Sequence, residues 1–483
     1  MVLKTHLSYM LVCLMLSYSV QAASSAINLS DSSGQQQLFM APIIYDVNFQ
    51  AEHDRSGYKL AIVPYPVSFS PDGRAYIRQK NGVYYINGEG KWDYVSFLGA
   101  IFNASGQRYS SVDMNFDSDH RIVFDKEGYA YTPAWAIYSW PKRHPFLMVK
   151  PPDSEQWKAY KLSPLGEPRM EWFSGANMLD SPPAVLIYEH GDKTISLVNV
   201  FRNQDKISIS KPQEISRNVF SIARLGSGGS IVVRTGDWIH TVFAFDISPE
   251  NKKGTPEVWA RWSPQKNIQY SPQLLGMSPV FETHPDGHDY PVVVSDSQGR
   301  LHVILGAHSR PFQYLYTPRP ADSNEVEWTD PVVVGNCNLT YPDLVCDSKD
   351  TLHLVARQNK YSEGMTLVYL KKEMGKEWTK PQKLIVGSPG NSISYLNCYH
   401  KLMKDTNDKL FLTYYVYFNY FTDAQLAGYK ESYPEEKLIR GTSQGFGRYN
   451  YTGVRRKGPY LLVSEDRGNS WRMAVMDDFK TAN

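Results

Sequence analysis

The chain has 483 residues, with 51 basic and 49 acidic side chains. It carries no global basic field of the kind that binds nucleic acid, so any anionic partner must be met by a local cluster. No stretch beyond the N-terminus approaches the roughly 20 apolar residues of a membrane helix, and insertion into a membrane is not expected.

The first residues are basic, an apolar run extends from Leu7 to Val20, and small residues surround Ala22. That order predicts a secretory signal peptide over 1–22 and export to the periplasm or the extracellular space. Residues 23–40, rich in Ser, Gln and Asp, read as a flexible leader. From about 41 onward, short alternating segments bounded by Gly, Asp, Asn and Pro replace any long helical periodicity, which predicts an all-β chain. The segments share a form: a strand, a turn of the Asp-x-x-Gly kind, and a second apolar strand. Such turns stand near positions 72, 125, 191, 228, 296, 347 and 406, about 55 residues apart. A repeat of this size with several strands per unit is the mark of a propeller, and repeat architectures escape the size limit of a single core. The expectation is a monomeric seven-bladed β-propeller of four-stranded antiparallel blades, forming one domain over 41–483.

Near the end, Ser464-Glu-Asp466-Arg-Gly468-Asn-Ser470-Trp471 fits the Asp-box pattern of neuraminidase repeats, in which Asp and Gly shape a hairpin and Trp packs beneath it. Because it follows the seventh turn, Tyr460 to Met473 is expected to pair with the first blade and close the ring.

Propeller sites lie where the innermost strands open onto the central mouth. The fifth repeat is entered by Gly287-His288-Asp289-Tyr290-Pro291 and carries His308 after its second strand. The sixth opens with Thr340-Tyr341-Pro342 and has Arg357 at the end of its second strand; the seventh opens with Asn397-Cys398-Tyr399-His400. Two histidines 20 apart, a Tyr-Pro strand, an arginine 16 after that tyrosine, and a tyrosine 42 beyond the arginine resemble the ulvan lyases and related neuraminidase-repeat propellers. The resemblance covers roughly 285–405 well and the rest only as blades. In the family the histidine pair lies near the second blade, whereas here four repeats precede it and the second repeat offers Asp117 and Ile137 instead. A ring has no intrinsic first blade, and a permuted order preserves such a site.

The resemblance implies a lyase acting on an anionic, uronate-containing, sulfated polysaccharide of the ulvan type, and the residues support that chemistry in their own right. Removing the C5 proton of a uronate requires its carboxylate to be neutralised, and a planar, permanently charged guanidinium such as Arg357 does this bidentately. His308 adds a second donor. Histidine is a competent base near neutral pH and tyrosine can donate a proton to the leaving oxygen; His288 is read as base and Tyr341 as acid, with the exchange of roles open. Tyr399 would orient substrate. No cofactor is required. Cys337 and Cys398, each expected just before a strand, would with His400 form a structural zinc site; plain buried cysteine is the ordinary alternative.

Each residue alone has a bland reading. A histidine at a strand end is usually hydrogen-bonded structure, Tyr-Pro openings recur for packing, and an arginine commonly pairs with an acid across a blade. The quartet together is less easily explained that way. His302 and His353 occupy one repeated Leu-His place and read as structural. A second cluster, His120, His144, His190, Tyr188 and Arg202, is a weaker site candidate, and His53 a weaker one still. A sialidase-type hydrolase would need an ordered arginine set, yet Arg121, Arg234 and Arg261 are scattered. The serious rival is a non-catalytic sugar-binding propeller, which would explain the 33 tyrosines and 11 tryptophans by ring stacking.

Overall fold

A computed structural model describes residues 27–30, 36–39, 66–79, 81–109, 121–139, 142–172, 178–222, 229–246, 254–278, 287–360, 364–385, 397–416, 438–443, 449–454 and 457–479. The expected signal peptide, His53 and His120 fall outside them.

The recurrent turn is built by one local device. The Oδ1 of Asp125 accepts the amides of Glu127 and Tyr129, each at 3.0 Å. Asp296, Asp347 and Asp405 each do the same to the residues two and four further on, at 2.9 Å. A carboxylate that caps two amides mimics a backbone turn. Its third residue takes φ > 0: Gly128 and Gly299, but also Asp350 and Asp408. The turn expected near Gly226 to Gly229 lies largely outside the described residues, and a tight hairpin stands instead at Gly236, between Val232–Thr235 and Trp238–Phe245.

His302 and His353 buttress these turns. The Nε2 of each lies 3.1 Å from Oδ2 of the turn aspartate, Asp296 or Asp347. The Nδ1 of each meets a tyrosine hydroxyl, Tyr314 at 2.8 Å and Tyr369 at 2.7 Å. They are structural, as read from the sequence.

The architecture is all-β, a propeller arrangement of small sheets. Five blades are distinguished rather than the expected seven. Five sheets of four or five strands stand alone, whereas the stretch expected to supply two more forms seven strands of one sheet, which Ile27–Ser30 and Gln36–Phe39, from the expected leader, extend to nine. The cause is the strand Val332–Cys346. Its first residues, Val332–Val334, pair with Tyr314–Phe312 of the fifth repeat. After a break it continues as the partner of Leu352–Lys360 in the sixth. No turn separates the two repeats, so their hydrogen-bond ladders run together.

Ring closure also differs from expectation. The strand Lys457–Ser464 pairs with Leu410–Val416 of the seventh repeat, not with the first. The Asp box turns it straight back onto Arg472–Met473. First and last repeats instead meet by packing: Phe69 lies 4.6 Å from Phe411 and Trp92 5.4 Å from Phe479, centroid to centroid, inside one continuous apolar cluster. The Asp box itself is as anticipated: Asp466 accepts from Ser464 Oγ, Ser470 N and Ser470 Oγ at 2.6 to 2.9 Å, and Trp471 packs edge-on against Tyr369. Gly468 has φ +82°, and a Cβ there would stand 1.8 Å from the Tyr369 hydroxyl. Gly468→Ala is therefore expected to cost about 3 kcal/mol, the sum of left-handed strain and the displacement of a buried tyrosine. Chemical denaturation of the two proteins measures it directly.

Candidate active site

Strands Val292–Ser295 and Leu301–Leu305 are antiparallel with Val292 opposite Ile304, so the residue before the first and the residue after the second emerge at one end of the sheet. Close approach there is possible because Gly306 has no side chain: a Cβ would lie 2.1 Å from the carbonyl oxygen of Tyr290. His288 and His308 are thereby brought to 4.5 Å between ring centroids. Both are half-buried.

Tyr341 comes from the neighbouring repeat. The register of Val332–Cys346 against Leu352–Lys360 slips between Thr340 and Asp343, which makes a bulge of Tyr341 and Pro342. Tyr341 has φ +60°, a conformation that costs a residue with a Cβ roughly 1–2 kcal/mol. Bulges of this kind re-aim a side chain and concentrate beside functional sites. The result is a Tyr341 ring 5.3 Å from that of His288, set edge to face. Arg357, in register with Thr340, lays its guanidinium carbon 4.4 Å from the Tyr341 ring centroid. A hydrogen bond from Ser309 N to Thr340 Oγ1, 3.0 Å, ties the two repeats together at this point. His308, His288, Tyr341 and Arg357 thus form one contiguous row.

Exposure grades along that row. The histidines are open to solvent on one side, whereas Tyr341 and Arg357 are only 2 % and 3 % exposed. The Arg357 guanidinium lies against the phenol face, where cation and ring quadrupole attract more strongly once desolvated. Arg357 accordingly bears on Tyr341 as well as on anything that enters beside it.

His400 lies behind them. It is fully buried, and its Nε2 donates to the Val355 carbonyl at 3.1 Å. Burial, followed by the charges of Lys401 and Arg357, pushes its pKa down to about 3, so it is a neutral imidazole at any ordinary pH. This makes it a packed support for the row. Cys337 lies within the Val332–Cys346 strand and not before it, half-buried. The side chains of Cys398 and Tyr399 lie outside the described residues, although their backbone belongs to the strand Asn397–Lys404 and enters a second register slip, between Cys398 and Lys401. Among the described residues no group of three or more His, Cys, Asp or Glu is placed to hold a metal ion.

Several neighbours of the row carry no signal in the sequence. Asp343, two residues after Tyr341, is fully buried; it accepts from Leu402 N at 2.6 Å and lies 3.8 Å from Arg121, which reaches over from the second repeat. Arg121 in turn stacks 4.0 Å above Trp172. Glu257 and Asp289, both buried, underlie the histidines.

Of the described members of the weaker cluster, Tyr188 and His190 meet at 4.5 Å between ring centroids, and the others are engaged elsewhere. Arg202 pairs with Asp125 at 3.0 Å, His144 packs against Tyr109, and His190 pairs with Glu167 at 2.8 Å. A cavity of about 470 Å³ lies under the loop at 319–327, walled by Asp322, Glu325 and Glu327 with Arg319. That wall is wrong in sign for a polyanion.

A family model described as BNR repeat-containing family member matches residues 258–436. No curated protein sequence matches the chain. Among solved structures, a PL25 ulvan lyase bound to a glucuronate–sulfated rhamnose repeat aligns at TM-score 0.35 and 13% identity, over 53% of this chain and 54% of that one. The polysaccharide lyase Uly1 aligns at 0.33 and 10%, over 53% and 57%. The Trypanosoma rangeli sialidase in complex with the inhibitor DANA gives 0.36 and 10%, over 79% and 58%. The chain thus spans little more than half the length of the lyases it aligns with. It resembles the ulvan-lyase-type and neuraminidase-repeat propellers, and its matched segment, 258–436, contains the whole His308, His288, Tyr341 and Arg357 row.

Proposed function

We propose that this chain is an exported polysaccharide lyase that cleaves a uronate-containing, sulfated polysaccharide of the ulvan type by β-elimination. The observation that carries the reading is the row itself: two imidazoles, a phenol and a guanidinium from adjacent repeats, with successive separations of 4.5, 5.3 and 4.4 Å. Such a set is what elimination from a uronate needs. His308 and the positive charge of Arg357 neutralise the C6 carboxylate and so acidify C5. His288 takes the C5 proton; the electron pair left behind forms the C4–C5 double bond and the C4–O bond breaks, the leaving oxygen receiving its proton from the Tyr341 hydroxyl. The products are a new non-reducing end bearing an unsaturated uronate and a free hydroxyl on the departing chain. Tyr399 orients the neighbouring sugar. No cofactor takes part in these steps.

The test is incubation of the purified protein with ulvan, other rhamnoglucuronans, glycosaminoglycans and alginate while ultraviolet absorbance of unsaturated uronate is followed. Appearance of that chromophore with a glucuronate or iduronate polymer is the expected result. Binding of one of these polymers with no chromophore would favour the sugar-binding propeller instead, and release of reducing ends without unsaturation would favour a hydrolase.

A further inference from the structure

Both histidine-bearing turns are held by one strand of the preceding repeat. On Thr255–Ser263, Thr255 and Glu257 are two residues apart and therefore project from the same face. Thr255 Oγ1 donates to Asp289 Oδ2 at 3.1 Å, next to His288. Glu257 Oε2 accepts from Gly306 N at 3.0 Å, two residues before His308. The two anchored points are those at which the turns press together, since Gly306 lies against the Tyr290 backbone. Thr255, Glu257 and Asp289 are all fully buried. We infer that Thr255 and Glu257 are positioning residues, a two-point clamp that sets the spacing of His288 and His308 and in which Glu257 carries a proton.

The proton follows from what surrounds Glu257. The strands on either side place Ala244 and Gly276 opposite it, and these offer no charge. Among the described residues of the turns it faces, the acidic group is Asp289, with His288 and His308 beyond. Burial first, and the Asp289 charge second, raise the Glu257 pKa well above the usual carboxylate range. Two ionised carboxylates in that space would repel in a low dielectric, and each is tied to a different histidine turn. Loss of the proton therefore drives the turns apart.

The inference rests on the proposed lyase reading for what the histidines do, but not for how they are held, and two measurements keep these apart. The first is the position of the His288 and His308 ring signals by NMR, without substrate, as pH is raised. The wild type should show an inflection that Glu257→Gln, which keeps the acceptor for Gly306 and cannot ionise, lacks. Thr255→Val should shift the His288 signals, and Thr255→Ser should restore them. The second is the pH profile of kcat/KM for unsaturated-product formation: Glu257→Gln should keep activity within about threefold at neutral pH and move the alkaline limb up by at least one pH unit, with the acid limb unchanged. If Glu257→Gln leaves both the NMR inflection and the alkaline limb where they were, the clamp is wrong. It is equally wrong if Glu257→Gln disturbs the histidine signals at neutral pH as severely as Glu257→Ala does. Should no polymer be cleaved, the lyase reading fails and the NMR result alone decides the clamp.

Discussion

Tyr341→Phe is expected to reduce unsaturated-product formation by roughly 10²- to 10⁴-fold, the usual worth of a positioned proton donor, while affinity for an uncleaved oligosaccharide changes by less than about threefold. The substitution deletes one oxygen and keeps the ring, so the contacts with His288 and Arg357 persist and a packing explanation is removed. The comparison is kcat from the absorbance assay against Kd from calorimetry on the same preparation. Arg357→Lys is expected to fall by about 10²- to 10³-fold in kcat/KM, because an ammonium neither lies flat on the phenol nor offers a planar fork to a carboxylate. Retention of near-normal product formation by Tyr341→Phe would overturn the assignment.

The second large effect is on stability in acid. His240 and His400 are fully buried, and burial pushes each down to about 3. The tautomer of His240 is fixed as well: Nδ1 accepts from Trp259 Nε1 at 3.2 Å, leaving Nε2 to donate to Thr235 Oγ1 at 2.7 Å, so protonating Nδ1 would break a hydrogen bond. A histidine whose folded pKa is depressed gives its full stabilisation above its unfolded value of about 6.5 and loses it as pH falls towards the folded value. Glu257 acts in the opposite sense: with its folded pKa raised, it favours the folded state increasingly as pH falls to the unfolded value near 4.5. Two histidines against one carboxyl leave about one net proton. Between pH 6.5 and 4.5 that amounts to a loss of about 3 kcal/mol, at about 1.4 kcal/mol per pH unit; His353, also lowered by burial, adds to it. Urea titrations at the two pH values check the loss. In Glu257→Gln, which has no opposing carboxyl, it should approach about 5 kcal/mol.

How much of this was legible in the sequence depended on the range of the interaction. The turn at Asp125, repeated at Asp296 and Asp347, could be read because a carboxylate capping amides two and four residues on is complete within one segment. The same is true of the Asp box, and of the His302 and His353 pairings, which repeat in register. His288, His308, Tyr341 and Arg357 could be singled out because all four fall within about 70 residues on two successive repeats, where hairpin geometry fixes neighbours. What escaped was set by packing between distant repeats. Nothing in Arg121 signals that it will face Asp343, and the acid in the Thr255-Pro-Glu257 segment looks like any other on an alternating strand. Run-on of the fifth repeat into the sixth was hidden because Val332 to Cys346 contains Gly335 and Asn336, ordinary turn residues, which here take φ of +72° and +45° inside a strand.

The strand Val332–Cys346, shared by two repeats, has a mechanical consequence. In a propeller whose units are joined only by loops and side-chain packing, each seam can breathe independently of its neighbours. The seam that carries the row of four is sewn by main chain: the strand that pairs with Tyr314 through its first residues continues, past its break, into the pairing with Arg357. Opening it requires breaking backbone hydrogen bonds on both sides at once, so the amides of Tyr314 and Leu354 should exchange with solvent as one cooperative unit, slower than those across any other seam. A site assembled from two units then acquires the stiffness of a site built within one.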